Sequence, residues 1–301
     1  MIRTLNIQPG YVGGVLLVML AGLFWSFIPT VVRQFESASI LQILLYRSIG
    51  VIPMVALLMV LSRGTSAFRV LYKPSASVVI GALGLVAAYA GGIGAVRMTS
   101  IANAAFLFAA APFLAAILGR IVLGERIRTS TLVAIFFAML GILIMVYDNF
   151  TAGNWLGDVV AAVSALGFAV FAVALRAGSE NDTLAVVLIG AVFSALFAFG
   201  SLSFTGAGIQ VPQSEVVMAV SLGFLVLGVG MVLFTFGASV VPAAELALLA
   251  MVEVVLAPVW AWLFLSEIPT RSALLGGAIL IGAIVFNALS GIRRKPAPLT
   301  F

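Results

Sequence analysis

The chain has 301 residues, of which 63% are hydrophobic and only 8% are charged, and its formal net charge is +5. Soluble domains carry about 25% charged residues, so this composition excludes an ordinary soluble protein. The sequence contains neither Cys nor His, which excludes disulfides, thiolate metal sites and the commonest general base. The basic residues flank apolar segments and form no stripe with aromatic residues, so no nucleic-acid partner is expected.

Ten apolar segments follow one another along the chain. Each is close to the ~20 residues that a helix needs to cross a bilayer, and only short linkers separate them. We therefore predict an all-α integral membrane protein with ten transmembrane helices. The first segment lacks a convincing cleavage site, so we expect it to be retained. The predicted spans are 11–33, 38–61, 75–96, 100–122, 129–147, 155–177, 183–204, 214–238, 241–264 and 271–291.

Basic residues are concentrated on one side of these spans. Ten spans place both termini on the same side, and that side collects eleven Lys and Arg residues against three on the other side. The positive-inside rule therefore predicts cytoplasmic termini in a bacterial-type inner (plasma) membrane.

The two halves of the chain, 1–150 and 151–301, resemble each other. Each half has five spans, an odd number, so the two copies must have opposite orientations in the membrane. Inverted repeats are typical of secondary transporters, which bind substrate near the midplane between the repeats. We predict one integrated membrane domain made of two inverted five-helix repeats around a central cavity. A shift of 142 residues pairs Ala105 with Ala247, Leu114 with Leu256 and Glu125 with Glu267.

Four motifs occur in order along the chain. They are GLFWSFIP around Trp25, LLYRSIG around Arg47, the span-four run that ends at Gly124–Glu125 and the span-nine run that ends at Ser266–Glu267. With these motifs the whole chain resembles the drug/metabolite transporter (DMT) superfamily, in its ten-helix EamA branch. Within that branch it is most similar to the YddG-type exporters of aromatic amino acids. It departs from them at Phe168, where a second Trp would fit, and in span seven, where no Arg matches Arg47.

The resemblance implies a cavity ringed by spans one, three, four, six, eight and nine, with spans two, five, seven and ten packed outside. It also implies export of small amphipathic metabolites by alternating access, with aromatic or other apolar amino acids as the expected substrates. No nucleotide hydrolysis, cofactor or metal is implied. The expected partners are the small-molecule substrate and membrane lipid, and the expected state is a monomer.

Two charged residues lie deep inside predicted spans, where a charge is costly and needs a partner or water. Arg47 lies in span two and Glu253 in span nine. We interpret Arg47 as a structural charge on an outer helix. Glu253 either pairs with Arg47 or faces the cavity, where it binds a substrate ammonium group or takes a proton, and the sequence leaves both alternatives open.

Aromatic and polar residues in the middle of the spans are the candidates for substrate binding. Tyr89 in span three is followed by glycines, among them Gly92, which permit close approach of a helix or ligand. In span four, Asn103 and Phe106 lie on one helical stripe, where an amide can bind an amino-acid head group and a ring can stack. Packing and helix–helix hydrogen bonds are the alternative roles. The predicted set is Trp25, Tyr89, Gly92, Asn103, Phe106, Phe168 and Glu253.

Two prolines and one acidic residue are the candidates for gating. Pro112 in span four and Pro258 in span nine remove helix hydrogen bonds, so we predict bends there that let half-helices move, with a static kink as the alternative. Glu245, near the start of span nine, is a candidate cytoplasmic gate residue or simply an acid favoured by a helix N-terminus. The predicted interfacial aromatic residues are Trp155, Trp260 and Trp262.

Other functions fit the sequence less well. A permease for another metabolite class, such as threonine- or homoserine-like amino acids or drugs, is the main alternative to the export of aromatic amino acids. A channel would need acidic rings or a carbonyl filter. An intramembrane protease would need His or an intramembrane Asp pair, whereas all Asp residues fall at span ends. We therefore expect a protein that is not an enzyme.

Overall fold

The computed structural model describes residues 10–98, 106–147, 155–178, 183–266 and 270–292. In these ranges the chain folds almost entirely into apolar helices, as predicted. The helices are Tyr11–Trp25 and Ile28–Val32 in span one, Ile40–Arg63 in span two, Ala76–Met98 in span three, Ala111–Leu123 in span four, Thr129–Val146 in span five, Trp155–Ala177 in span six, Thr183–Thr205 in span seven, Gln213–Ala238 in span eight, Ala243–Ala250 and Val252–Leu265 in span nine, and Arg271–Ile292 in span ten.

The number of membrane-spanning helices agrees with the sequence. Nine helices of the described ranges are long and apolar enough to cross a bilayer. The tenth is Ala76–Gly92 taken together with the short segment Ser66–Tyr72, which meets it at 83°. The predicted all-α fold with ten spans is confirmed. Because the number of crossings is even, the chain enters and leaves the bundle on one face, here called the terminal face, and the other is called the opposite face.

The packing of the spans follows the predicted exchange of two inverted repeats. Span one packs along span eight, and span three packs along span six. Spans one and six are counterparts in the two repeats, as are spans three and eight, so the two packing pairs are equivalent. Spans two and seven, four and nine, and five and ten each pack against their own counterpart. Glycines allow these close approaches. A Cβ on Gly84 would lie 2.7 Å from the Gly167 carbonyl, and one on Gly141 would lie 2.7 Å from the Gly276 carbonyl.

Spans four and nine are interrupted at positions related by the 142-residue shift. Span four is broken at Ala109–Ala110, and span nine is broken at Met251, where the Met251 amide donates to the Leu248 carbonyl at 3.1 Å. Pro112 stands directly after the first break. Pro258 does not coincide with the second one, because the helix Val252–Leu265 continues through it.

Span eight contains an irregularity with no counterpart in span three. Leu222–Gly228 is a π-helical segment between two regular helices, and π-helical turns occur often at functional sites. Its Gly223 lies directly against the backbone carbonyl of Arg47 in span two, where an added Cβ would collide. Span two is thus drawn towards the centre of the bundle.

Candidate functional site

A cavity of about 270 Å³ lies between the two repeats near the middle of the bundle. Its wall is mostly apolar and comes from the six spans implied by the family resemblance, together with one residue of span two, Arg47. The lining residues used below are Trp25, Arg47, Tyr89, Gly92, Phe108, Ala111, Ser164, Phe168, Met231 and Glu253.

Four aromatic rings, two of which line the cavity, pack against one another beside it. Phe234 is the centre of this aromatic cluster, with its ring centroid 5.3 Å from that of Trp25, 5.7 Å from that of Phe168 and 5.8 Å from that of Phe171. Phe171 and Phe234 are fully buried. Spans six and eight both run towards the terminal face, so Phe171 and Phe234, each three residues beyond a lining residue of its span, lie on that side of the cavity.

The polar groups of the cavity are few, and several of them lack partners among the described residues. The Arg47 guanidinium carbon lies 4.7 Å from the centroid of the Tyr89 ring, at the distance of a cation–π contact. Nε and Nη2 of Arg47, the Tyr89 hydroxyl and the Trp25 indole nitrogen are buried, and none of them has a hydrogen-bond partner among the described residues. Unpaired buried polar atoms are costly, so such a cluster indicates a place for a ligand or water.

Glu253 also lines the cavity. The ion pairs among the described residues include Arg128–Glu245 and Arg176–Glu125, and neither Arg47 nor Glu253 forms one with a described residue. The two charges therefore face the same cavity without being paired, and of the two arrangements left open by the sequence the structure has Glu253 at the cavity wall. Arg47, interpreted from the sequence as a structural charge, stands in that wall as well.

The structure brings together most of the predicted substrate-binding residues. Trp25, Tyr89, Gly92, Phe168 and Glu253 all line the cavity. Phe106 is half-buried but is not part of the lining, and Phe108 takes that place. Asn103 lies outside the described residues. The roles of these residues in binding stay predictions.

Sequence reasoning missed Arg47, Phe108 and Ser164 as parts of the wall. The Ser164 hydroxyl donates to the Ala88 carbonyl at 2.6 Å and so joins spans six and three at the cavity.

Glu245 is the centre of one polar contact at the terminal face. Its carboxylate accepts hydrogen bonds from the Tyr11 hydroxyl at 2.6 Å and from Arg128 Nε at 3.1 Å. The side chain of Glu245 is only 2% exposed. This contact joins the starts of spans one, five and nine. Glu245 therefore connects span nine to spans one and five, in addition to lying at a helix N-terminus.

Glu125 is the centre of a second polar contact on the same face. It accepts from Arg176 Nε at 3.1 Å and from the Ala243 amide at 3.2 Å. Arg176 in turn donates to the Ser239 carbonyl at 2.7 Å. The ends of spans four and six are thereby tied to the hairpin between spans eight and nine. The two contacts and the aromatic cluster are together called the terminal-face barrier.

Trp260 differs from the prediction of an interfacial belt. Its indole nitrogen donates to the Ser26 hydroxyl at 2.8 Å, and its ring stacks on Phe27 with centroids 4.5 Å apart. It therefore joins span nine to the break in span one. Trp155 and Trp262 are largely exposed on the bundle surface, as a belt residue would be.

Inverted five-helix repeats around a midplane cavity define a multi-pass membrane protein with the architecture of a secondary transporter. The sequence profile of the EamA-like transporter family matches residues 12–147 and again residues 155–289, once for each repeat. The chain belongs to this family.

Two individual proteins are similar to this chain. An uncharacterized transporter of Archaeoglobus fulgidus is 27% identical over 198 residues, which are 64% of this chain and 69% of that protein. A crystal structure of a protein with 20% sequence identity superimposes with a TM-score of 0.77, covering 93% of this chain and 99% of that chain. The second similarity concerns the fold alone.

Proposed function

We propose that this protein is a secondary transporter that exports small amphipathic metabolites, in particular aromatic or other apolar amino acids, by alternating access. The observation that carries this proposal is the cavity itself. Its volume of about 270 Å³ is close to the lower end of the ~300–1,000 Å³ of small-molecule sites. An apolar wall with a few convergent polar groups is typical of such sites.

The composition of the wall favours an apolar side chain and a charged head group. Trp25, Phe108 and Phe168 offer rings on which an aromatic side chain can stack. The carboxyl group of Glu253 offers an acceptor for an ammonium group, or a site for a proton. The apolar part of the substrate would then be bound by packing against the aromatic wall, and its ammonium group by the charge of Glu253.

In an alternating-access mechanism with cytoplasmic termini, the terminal-face barrier is the cytoplasmic gate. In that orientation the described conformation is shut towards the cytoplasm by the aromatic cluster and by the contacts of Glu245 and Glu125. Loading from the cytoplasm requires these contacts to separate. The breaks at Ala109–Ala110 and Met251 are where half-helices can turn. Pro112, next to the first break, is the proposed hinge residue of span four.

The proposal is tested by exchange of labelled phenylalanine or tryptophan in liposomes that contain the purified chain. We expect faster exchange than in empty liposomes. A panel of apolar amino acids, threonine, homoserine and cationic drugs, each added as competitor, assigns the substrate class. If no member of the panel is exchanged or competes, the protein is not the proposed transporter.

A further inference from the structure

Arg47 is a cation in a place where cations are expensive. It stands seven residues after the first residue of the helix Ile40–Arg63, which puts it about 10 Å into the membrane. The residue is only 6% exposed. A guanidinium at this depth is stable only when it is paired or meets a polar ligand, and intramembrane charges are functional by default.

Two nitrogens of the Arg47 guanidinium, Nε and Nη2, are buried and have no hydrogen-bond partner among the described residues. The Tyr89 ring covers a face of the group, and no carboxylate of the described residues forms an ion pair with it. Nε and Nη2, which have no partner, lie on the same edge of the guanidinium plane. This edge is the fork that binds a carboxylate through two parallel hydrogen bonds.

We propose that Arg47 binds the carboxylate of the transported molecule through Nε and Nη2, so that a carboxylate group is required for transport. This inference rests on the proposed function and specifies which end of the substrate is recognised. Glu253 lines the same cavity from the other repeat without pairing with Arg47. A zwitterion with its carboxylate on Arg47 and its ammonium group towards Glu253 neutralises both charges. An amine without a carboxylate leaves Arg47 unpaired.

Gly223 is the residue that positions Arg47. Its Cα lies against the Arg47 carbonyl, and a Cβ there would collide with that backbone atom. The π-helical segment Leu222–Gly228 brings this glycine to span two. Any larger residue at this position moves Arg47 away from its contact with Tyr89.

The test compares two inhibitors of labelled phenylalanine exchange in proteoliposomes: unlabelled phenylalanine and 2-phenylethylamine, which differ only in the carboxylate. For the unaltered chain we expect the amine to compete roughly ten- to hundredfold less well, the value of a charge-assisted hydrogen-bonded pair. This arm needs no variant and is independent of any folding defect. Equal competition by the two compounds would overturn the carboxylate requirement while leaving the transport function intact.

Two variants of Arg47 assign the preference to this residue. In Arg47→Gln the preference for phenylalanine over the amine should fall to within about threefold, whereas Arg47→Lys, which keeps the charge but loses the fork, should retain an intermediate preference. An unchanged preference in Arg47→Gln contradicts the proposal.

Gly223→Ala tests the positioning role against a matched control. We expect this variant to raise the KM for phenylalanine several-fold with little change for the amine. Gly200→Ala in span seven is the control, because an added Cβ there meets nothing within 4 Å. Equal changes for both compounds in Gly223→Ala would indicate a purely structural role. Absence of exchange with any compound, in the unaltered chain, would instead count against the proposed function itself.

Discussion

The two repeats are alike in backbone and unlike in chemistry. The 142-residue shift places Met231 at the position of Tyr89, and both residues line the cavity. The same shift places Ala111 opposite Glu253, which again are both lining residues. Arg47 corresponds to Ile189, which does not line the cavity. The repeat therefore supplies the scaffold of the cavity, whereas residues that differ between the two repeats supply its charges.

These departures give the cavity a polarity. The first repeat contributes the cation and its aromatic neighbour, and the second repeat contributes the acid. A symmetric cavity would treat both ends of a molecule alike. A cavity with opposite charges on its two walls favours one orientation of a dipolar substrate.

The largest effect is expected for Glu253→Gln, which removes the acid of the second repeat. We expect phenylalanine exchange to fall roughly ten- to hundredfold, because an ammonium group loses its charge-assisted partner. Any stimulation by a pH gradient should disappear as well. Glu36→Gln is the control, since this exposed residue lies in a linker away from the cavity. A variant that keeps its pH-gradient dependence would show that Glu253 carries no proton.

A smaller effect is expected for Tyr89→Met, which gives the first repeat the residue of the second. The variant loses the ring on Arg47, a contact worth ~0.5–2 kcal/mol, so the affinity for phenylalanine should fall roughly two- to thirtyfold. Met231→Leu, which changes the equivalent position conservatively, should bind as the unaltered chain does. Isothermal titration with phenylalanine measures both. Equal affinities for all three proteins would remove Tyr89 from the site.

The contacts of Glu245 at the terminal face give a third comparison, between the unaltered chain and a variant in which they are weakened. In Glu245→Gln the contacts with Arg128 and Tyr11 are weakened, and conformations open to this face should become a few-fold more populated. The chain contains no Cys, so a single cysteine at Ala116, in the small pocket at the barrier, reports this directly. We expect faster maleimide labelling with Glu245→Gln than without it. Unchanged labelling would exclude Glu245 as a gate residue.

The smallest effect is expected at the contact between spans one and nine. Trp260→Phe removes the hydrogen bond to Ser26 and keeps a ring on Phe27, so unfolding should become easier by ~0.5–1.5 kcal/mol. Trp262→Phe is a matched control, because Trp262 is 52% exposed on the outer surface. Thermal unfolding in one detergent compares the two variants. A greater loss for Trp262→Phe would contradict the assigned contact.

The sequence predicts the spans and the repeat well because both depend on apolar length and composition. The sequence also predicts several residues of the cavity wall. Trp25, Tyr89 and Glu253 are polar or aromatic residues deep in their spans, where polar groups are costly and usually functional. The sequence does not predict the place of Arg47. Span two, an outer helix, reaches the cavity because Gly223 and the π-helical segment of span eight allow it to approach closely. The local sequence pattern does not predict a π-helix.

Two further differences have the same origin in tertiary packing. Trp is a residue type typical of an interfacial belt, yet the Trp260 side chain contacts Ser26 and Phe27 at the break in span one. In span nine the break lies at Met251 and not at Pro258, so the proline pattern alone misplaces it. Both cases depend on which helices meet, and that is not readable from a single apolar segment.

Substrate protection of a cysteine in the cavity tests whether this cavity is the transport site. Gly92→Cys fits, because an added Cβ would have its nearest neighbours at 3.4 and 3.5 Å. Gln34→Cys, exposed in the linker after span one, is the control. We predict that saturating phenylalanine slows maleimide labelling of Gly92→Cys and leaves Gln34→Cys unaffected. Exchange of phenylalanine by the Gly92→Cys protein without any protection of that cysteine would contradict a substrate site between the repeats.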